Sequence, residues 1–272
     1  MPQGPFENSI PPLRELLPEV IRQLGYPGPG SVSRDVRAEI RGQIRRAVEI
    51  MEPAFFWKST QLENWGRGII AAKGLEIRSR MWANFLAQLQ EPSVLCCFVL
   101  TLGRFLDQAI ASLQTKSLFQ AYLLDAAASV LAEEMADQVE QHVSQTLAAE
   151  GYQTTARFSP GYCDWEVASG QEAIFRFLSP GALGITLSPG SMMIPRKSIS
   201  ACIVGAREVS LKSPCGSCSK ADCLYRRCPG THELASKQSA CRSHVPERGQ
   251  PGRARLGPDH SATSRNTRRR AR

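Results

Sequence analysis

The chain has 272 residues, and 33 Lys and Arg against 25 Asp and Glu give it a formal net charge of +8. Ten basic and three acidic residues lie after residue 228, so the body, residues 1–228, is almost neutral. A neutral body and 42% apolar residues exclude an intrinsically disordered protein and a broadly basic nucleic-acid-binding surface. Residues 229–272, rich in Arg, Ser, Gly and Pro, are predicted to form a disordered basic tail.

No run of about 18 apolar residues is present, and residues 1–5 lack the basic-then-apolar order of a signal peptide. These features predict a cytoplasmic protein with no membrane segment. Any binding of nucleic acid would depend on the basic tail alone and would be almost purely electrostatic.

Helical spacing of apolar residues predicts a first helix over residues 12–24, and Gly25 and Pro27 end it. Ser33 is the predicted N-cap of a second helix, which Pro53 terminates. The arginines opposite its apolar stripe indicate a solvated face, with phosphate binding as the alternative. Residues 1–66 are therefore predicted to form an N-terminal helical region.

The next residues, 67–210, alternate between strand and helix patterns. Predicted strands or hairpins cover residues 69–77, 94–100, 185–187 and 199–204, and predicted helices cover residues 79–89, 105–113, 117–150 and 171–178. This order predicts an α/β (α+β) fold in which the helical N-terminal part packs on a mixed, largely antiparallel, twisted sheet with a long central helix.

Two segments contain candidate functional residues. The long helix has a polar face with Glu133, Glu134, Asp137 and Glu140, a pattern that usually marks a solvated face. The loop at residues 157–165 combines Arg157, a Pro-Gly turn and two aromatic residues, which suits a small ligand with a carboxylate and a flat ring. Alternatively, the aromatic residues fill the core and Arg157 pairs with an acid of the long helix.

The loop motif Arg157-Phe158-Ser159-Pro160-Gly161-Tyr162 and the later run Pro195-Arg196-Lys197-Ser198 resemble a known family. They are similar to the activation (reactivation) domain of vitamin B12-dependent methionine synthase, and more closely to free-standing bacterial proteins built from that domain alone. The resemblance extends from about residue 69 to residue 205.

The resemblance implies that the protein binds S-adenosylmethionine and supports reductive methylation of inactivated cobalamin, with electrons from flavodoxin, ferredoxin or a similar donor. It implies that Arg157 binds the ligand carboxylate, that the backbone of Pro160, Gly161 and Tyr162 lines the adenosine site, and that Asp137 holds the α-ammonium. No protein nucleophile is expected, because a sulfonium is already an activated methyl donor.

The chain has no Asp-x-His-x-x-Gly cobalamin-ligand motif. The resemblance therefore implies a corrinoid carried by a partner, either a corrinoid protein or a methionine synthase that lacks its own activation domain. The chain would be a component of a methyltransferase system and not a complete enzyme.

Four of the nine cysteines, Cys215, Cys218, Cys223 and Cys228, lie within fourteen residues. Thiolates at this spacing can converge on an iron–sulfur cluster or on zinc, with unligated thiols as the alternative. Residues 211–228 are treated as a separate cysteine cluster. The competing functional hypothesis is a non-enzymatic iron–sulfur or zinc accessory protein that keeps the fold without binding S-adenosylmethionine.

Overall fold

A computed structural model describes residues 10–210. The six α-helices are α1 (Leu13–Gln23), α2 (Arg34–Ile50), α3 (Arg80–Leu86), α4 (Arg104–Gln114), α5 (Leu118–Ala149) and α6 (Val167–Leu178). The eight strands in the same residues are β1 (Ala54–Gly66), β2 (Ile69–Ala72), β3 (Leu75–Arg78), β4 (Gln90–Thr101), β5 (Gln153–Thr154), β6 (Thr186–Leu187), β7 (Met193–Ile194) and β8 (Ser198–Glu208).

Helix ends follow local capping chemistry. The side chains of Ser33, Ser79 and Ser117 accept hydrogen bonds from backbone N–H groups in the first turns of α2, α3 and α5. Gly151 follows α5 with φ +85°, a conformation that glycine adopts without steric cost. The predicted helices are confirmed, because both their apolar period and their caps are local properties of the sequence.

Six strands form one sheet in the order β3-β2-β1-β4-β8-β5, and every adjacent pair is antiparallel. The centre is β4, which pairs with β1 on one side and with β8 on the other. The strands β6 and β7 form a separate two-stranded hairpin. The predicted α/β fold with a largely antiparallel sheet is confirmed.

The sequence analysis predicted no strand before Ile69, yet β1 is the longest strand described. It pairs with β4 from Ala54, opposite Thr101, to Gln61, opposite Val94. The sheet therefore begins inside residues 1–66, which were predicted to be helical. The second half of β1 is mostly polar and mostly exposed, so its sequence lacks the alternation that identifies a strand.

The two faces of the sheet carry separate apolar cores. Helices α1, α2, α4 and α5 cover one face, which we call the helical face, and they bury Phe98, Leu100 and Ile203 of the sheet. Helices α3 and α6 and the segment 157–165 cover the other, which we call the loop face, and they bury Leu95, Val99 and Val204. Alternate residues of β4 and β8 thus point to opposite cores, as the strand repeat requires.

Among residues 10–210, no helix is both long and apolar enough to cross a membrane. The predicted cysteine cluster at 211–228 and the predicted basic tail at 229–272 lie outside the described residues.

Candidate functional site

The segment that carries Arg157 runs along the edge of β8. Phe158 and Cys202 exchange two backbone hydrogen bonds, with N···O distances of 2.8 and 2.9 Å. In an extended chain successive side chains point to opposite faces. Arg157 therefore projects toward α5 on the helical face, while Phe158 enters the core of the loop face.

The guanidinium of Arg157 is surrounded by carboxylates of α5. Its Nη1 atom lies 2.7 Å from Glu140 Oε2 and also contacts Asp137, and its Nη2 atom lies 2.7 Å from Glu133 Oε2. The Arg157 and Glu140 side chains are 1% and 4% exposed, whereas Glu133 and Asp137 are 45% and 41% exposed. One buried ion pair thus has two further carboxylates on its solvent side.

These contacts control the pKa of Arg157. Burial by itself lowers the pKa, but the charges of Asp137, Glu140 and Glu133 together raise it well above its ordinary value. Arg157 stays a cation, and among the described residues three carboxylates face this one guanidinium. Such a cluster favours a ligand that brings positive charge.

The acidic face of α5 was predicted to be a solvated face, with pairing of Arg157 to an acid of the long helix as an alternative for the loop, and the structure shows this pairing. Glu133, Asp137 and Glu140 bind Arg157, so they are not simply a solvated face. Glu133 and Asp137 are one helical turn apart, and Glu140 is three residues further on. That spacing places the three on one side of a helix, but it does not identify the cation that they meet.

The Pro-Gly turn follows Arg157 and is closed by its own backbone. Gly161 N–H donates to the carbonyl of Trp165, and Tyr162 N–H donates to the carbonyl of Ser159. Gly161 has φ +91°, which favours glycine. Because these N–H groups are used within the loop, the turn has carbonyl oxygens and the half-exposed Tyr162 ring to offer a ligand.

Aromatic rings in the core of the loop face pack against this turn. Trp82 stacks on Phe158 with ring centroids 4.8 Å apart, and Phe158 and Trp165 are parallel to within 2° at 5.8 Å. Tyr162 meets Phe158 edge to face at 5.9 Å. The expectation that Trp165 fills core is confirmed, since it is 2% exposed, and Tyr162 lies at the outer end of the same group.

Gly170 of α6 lets the helix approach this loop closely. A Cβ atom at Gly170 would lie 2.7 Å from Trp165 Nε1 and 2.9 Å from Pro160 Cβ. Any larger residue therefore has to displace the turn or the indole. Gly170 was not predicted as a site residue, because it lies just before the predicted helix 171–178 and only the observed α6 includes it.

Asp164 fastens the other end of the loop to α3. Its carboxylate accepts hydrogen bonds from Ser79 Oγ at 2.5 Å and from the backbone N–H groups of Arg80 and Met81. Partial burial alone would raise the pKa of Asp164, but the hydrogen bonds from Ser79, Met81 and Arg80 outweigh it and lower the pKa. The loop is thus held by an ionised carboxylate at one end and by Arg157 at the other.

A second buried cation lies further along the same side of α5. Lys197 Nζ is 2.9 Å from Asp125 Oδ1 and 2.8 Å from Ser129 Oγ. Asp125, Ser129, Glu133 and Asp137 recur every four residues, so they form one stripe on the helix. The Pro-Arg-Lys-Ser motif and the Arg157 loop, about 40 residues apart in sequence, therefore both bind α5.

The predicted site residues fall into two groups. Arg157 and Asp137 are in direct contact. The turn that follows Arg157 in the chain is formed by Pro160, Gly161 and Tyr162. Cys215, Cys218, Cys223 and Cys228 lie outside the described residues. In the described part of the chain, no three His, Cys, Asp or Glu side chains are arranged to hold a metal ion.

Comparisons with known proteins agree with this architecture. The family model described as "Vitamin B12 dependent methionine synthase, activation domain" matches residues 72–223, more than half of the chain. Among solved structures, the crystal structure of the MetH reactivation domain bound to AdoHcy (S-adenosylhomocysteine) matches with a TM-score of 0.53 at 16% sequence identity. That match covers 74% of this chain and 78% of the other, and it shows a common fold. No curated protein sequence matches the chain.

Proposed function

Because the chain belongs to the activation-domain family of vitamin B12-dependent methionine synthase, we propose that it binds S-adenosylmethionine and supports reductive methylation of cobalamin carried by a partner. One observation carries this proposal, namely the arrangement of Arg157, Glu133 and Asp137 beside the Pro160-Gly161 turn. The AdoHcy bound to the structurally similar reactivation domain supports the same class of ligand.

The charge of the cluster fits this ligand. S-adenosylmethionine carries a sulfonium, an ammonium and one carboxylate, so its net charge at neutral pH is positive. Three carboxylates around one guanidinium attract a net positive ligand, and Arg157 can still bind the single ligand carboxylate through its planar fork. AdoHcy has no sulfonium charge, so we expect it to gain less from the excess carboxylates.

Binding requires an exchange of partners at Arg157. The Arg157 side chain is 1% exposed, and three carboxylates already surround it. Glu140 is buried and stays in place, whereas Glu133 and Asp137 are on the solvent side and can turn away. In this proposal the ligand carboxylate replaces one of them on Arg157, and Asp137 receives the ligand ammonium. The Tyr162 ring offers a stacking surface for the adenine.

The division of chemistry follows from these groups. The ligand's sulfonium supplies an activated methyl group. The chain's own residues bind and orient the ligand, and none is needed as a nucleophile. Cobalamin belongs to the partner, either a corrinoid protein or a methionine synthase without its own activation domain, and flavodoxin or ferredoxin is the proposed electron donor.

Calorimetric titration with S-adenosylmethionine tests the proposal. We expect wild type to bind and Arg157→Lys to bind about 10–100-fold more weakly, because lysine keeps the charge but loses the fork. Arg207→Ala is the matched control, since Arg207 is an exposed arginine at the far end of β8, and its affinity should equal that of wild type. Absence of binding by folded wild-type protein would refute the proposal.

The exchange step has its own test. Glu133→Gln removes one competitor for Arg157 and should strengthen binding several-fold, whereas Asp137→Asn removes the partner of the ammonium and should weaken it. Both residues lie on the solvent side of the same ion pair, so the two variants are closely matched. Equal effects in one direction would mean that the carboxylates act only through their total charge.

A second candidate function rests on Cys215, Cys218, Cys223 and Cys228. Their spacing suits an iron–sulfur cluster or zinc, in an accessory protein that keeps the fold without binding S-adenosylmethionine. Anaerobic purification with analysis of iron, sulfide and zinc distinguishes the two candidates when combined with the titration. Metal together with absent ligand binding would favour the accessory protein.

A further inference from the structure

Two buried cysteines face each other across the centre of the sheet. Cys97 of β4 and Cys202 of β8 are register partners, both are 0% exposed, and their Sγ atoms are 2.7 Å apart. This separation is shorter than a normal contact between non-bonded sulfur atoms and longer than the disulfide bond length of about 2.04 Å. The proposed ligand chemistry uses neither thiol.

The backbone shows that this pair is of the kind that a disulfide can bridge. Cys202 directs its N–H and its C=O to Phe158, on the side away from β4. In antiparallel sheets a residue directs both groups to the same neighbour, so Cys97 and Cys202 are a non-hydrogen-bonded pair. Such pairs have Cα atoms about 4.5 Å apart, which is within the range of disulfides, about 4.4–6.8 Å.

We propose that Cys97 and Cys202 are a reversible redox-modification site, oxidised by small-molecule disulfides to a cross-strand disulfide that locks β8 to β4. One cysteine thiolate attacks a disulfide RSSR and releases one thiol, and the second cysteine displaces the other thiol from the mixed disulfide. The products are one protein disulfide and two RSH. The protein loses two electrons and two protons, and RSSR gains them.

The buried surroundings of the pair make this reaction slow, and they make the disulfide product resistant to reduction. Burial, assisted by the contact with Cys202, raises the pKa of the Cys97 thiol, so the reactive thiolate is rare in the closed protein. Exchange therefore proceeds when β8 opens transiently from β4. Once formed, the bond fixes the strand whose Cys202 backbone holds Phe158 and, through it, the Arg157 loop.

Incubation of the full-length reduced protein with oxidised glutathione, followed by alkylation under denaturing conditions and trypsin digestion, tests this. We expect a disulfide-linked pair of peptides, residues 81–104 and 198–207, that disappears after treatment with dithiothreitol. Cys96 lies in the same peptide as Cys97 but in the opposite core. Cys96→Ala is therefore the matched control and should keep the link, whereas Cys97→Ala should lose it.

The lock is measured separately by thermal unfolding. The disulfide closes a loop of about 100 residues, so oxidation should raise Tm by about 10 °C in wild type and in Cys96→Ala but not in Cys97→Ala. If Cys97 and Cys202 remain fully alkylated after prolonged incubation near Tm, where the strands open, the site is refuted. A linked pair that lowers Tm would refute the lock.

Discussion

The two faces of the antiparallel sheet are covered by different kinds of side chain. The helical face is filled mainly by aliphatic and small residues, and α5 alone buries Ala121, Ala126, Ala127, Ala128, Ala132 and Ala136. The loop face has the helices α3 and α6, and its core contains the stacked rings of Trp82, Phe158 and Trp165. Four helices cover one face, whereas two helices and the irregular segment 157–165 cover the other.

This difference explains where the candidate site lies. The small alanine side chains let the long helix α5 pack closely on the sheet. The polar stripe of α5 is therefore placed next to any segment that extends past the edge of the sheet. The Arg157 loop, which is anchored in the aromatic core by Phe158, extends to that stripe. The candidate site therefore lies between a long helix and a loop that is anchored at both ends.

The largest effect should come from the aromatic core. Trp165→Ala should lower the free energy of unfolding by about 3–5 kcal/mol and remove ligand binding, because the turn loses its support. The matched variant on the helical face is Leu106→Ala, at a residue that is 0% exposed in α4. It should cost about 2–5 kcal/mol while the folded protein keeps its affinity. Urea unfolding with calorimetry measures both, and equal loss of affinity in the two would contradict the comparison.

The next effect concerns the ion pair that joins the two regions. Arg157→Met should cost about 3 kcal/mol, because it removes the guanidinium that contacts the buried Glu140, while Glu133 and Asp137 can turn to water. The double variant Arg157→Met with Glu140→Gln should recover part of this loss. Urea unfolding of the four proteins in this cycle gives the coupling energy, and purely additive effects would show that Glu140 does not depend on Arg157.

Gly170→Ala tests how closely α6 must approach the loop. Its Cβ would overlap Trp165 and Pro160, so we expect a loss of about 2 kcal/mol and weaker ligand binding. Gly42→Ala in α2 is the control, because no atom lies within 4 Å of a Cβ there. That variant should gain about 0.5–1 kcal/mol from helix propensity. Thermal unfolding separates the two, and a stabilising effect at Gly170 would mean that the loop moves freely.

The smallest effect is the pH dependence at Asp164. Its folded pKa is lowered, so its contribution is present above the pKa of the unfolded state, near 3.9, and is lost as pH falls through the folded value. Asp164→Asn removes a negative charge beside the N-terminus of α3 and should therefore cost about 0.3–1 kcal/mol at pH 7 and little at low pH. Asp35, exposed in the first turn of α2, provides the control variant Asp35→Asn. Urea unfolding between pH 2 and pH 7 measures the free energy of unfolding of these variants. A loss of stability in Asp164→Asn that does not change with pH would contradict the role given to the Asp164 carboxylate.

Part of the fold could be predicted from the amino-acid sequence alone. Helices α1, α2 and α5 were predicted within one or two residues of their observed ends, because their apolar period is local, as are the serine caps of α2 and α5. The hairpin of β2 and β3 and the buried strand β4 were also predicted. Strand β1 was not, because its polar second half acquires strand geometry only through pairing with its neighbours.

The candidate site was likewise predictable from the sequence only in part. Sequence by itself determined that an arginine, a Pro-Gly turn and an acidic helix exist, because residue types and helical spacing are written in the chain. Only the tertiary structure decided that Arg157 meets Glu133, Asp137 and Glu140, that Gly170 makes room for the turn, and that Cys97 faces Cys202. The physical reason is that these contacts join residues from 10 to 105 positions apart, and the register of β8 on β4 and the packing of α5 and α6 on the sheet set their distances.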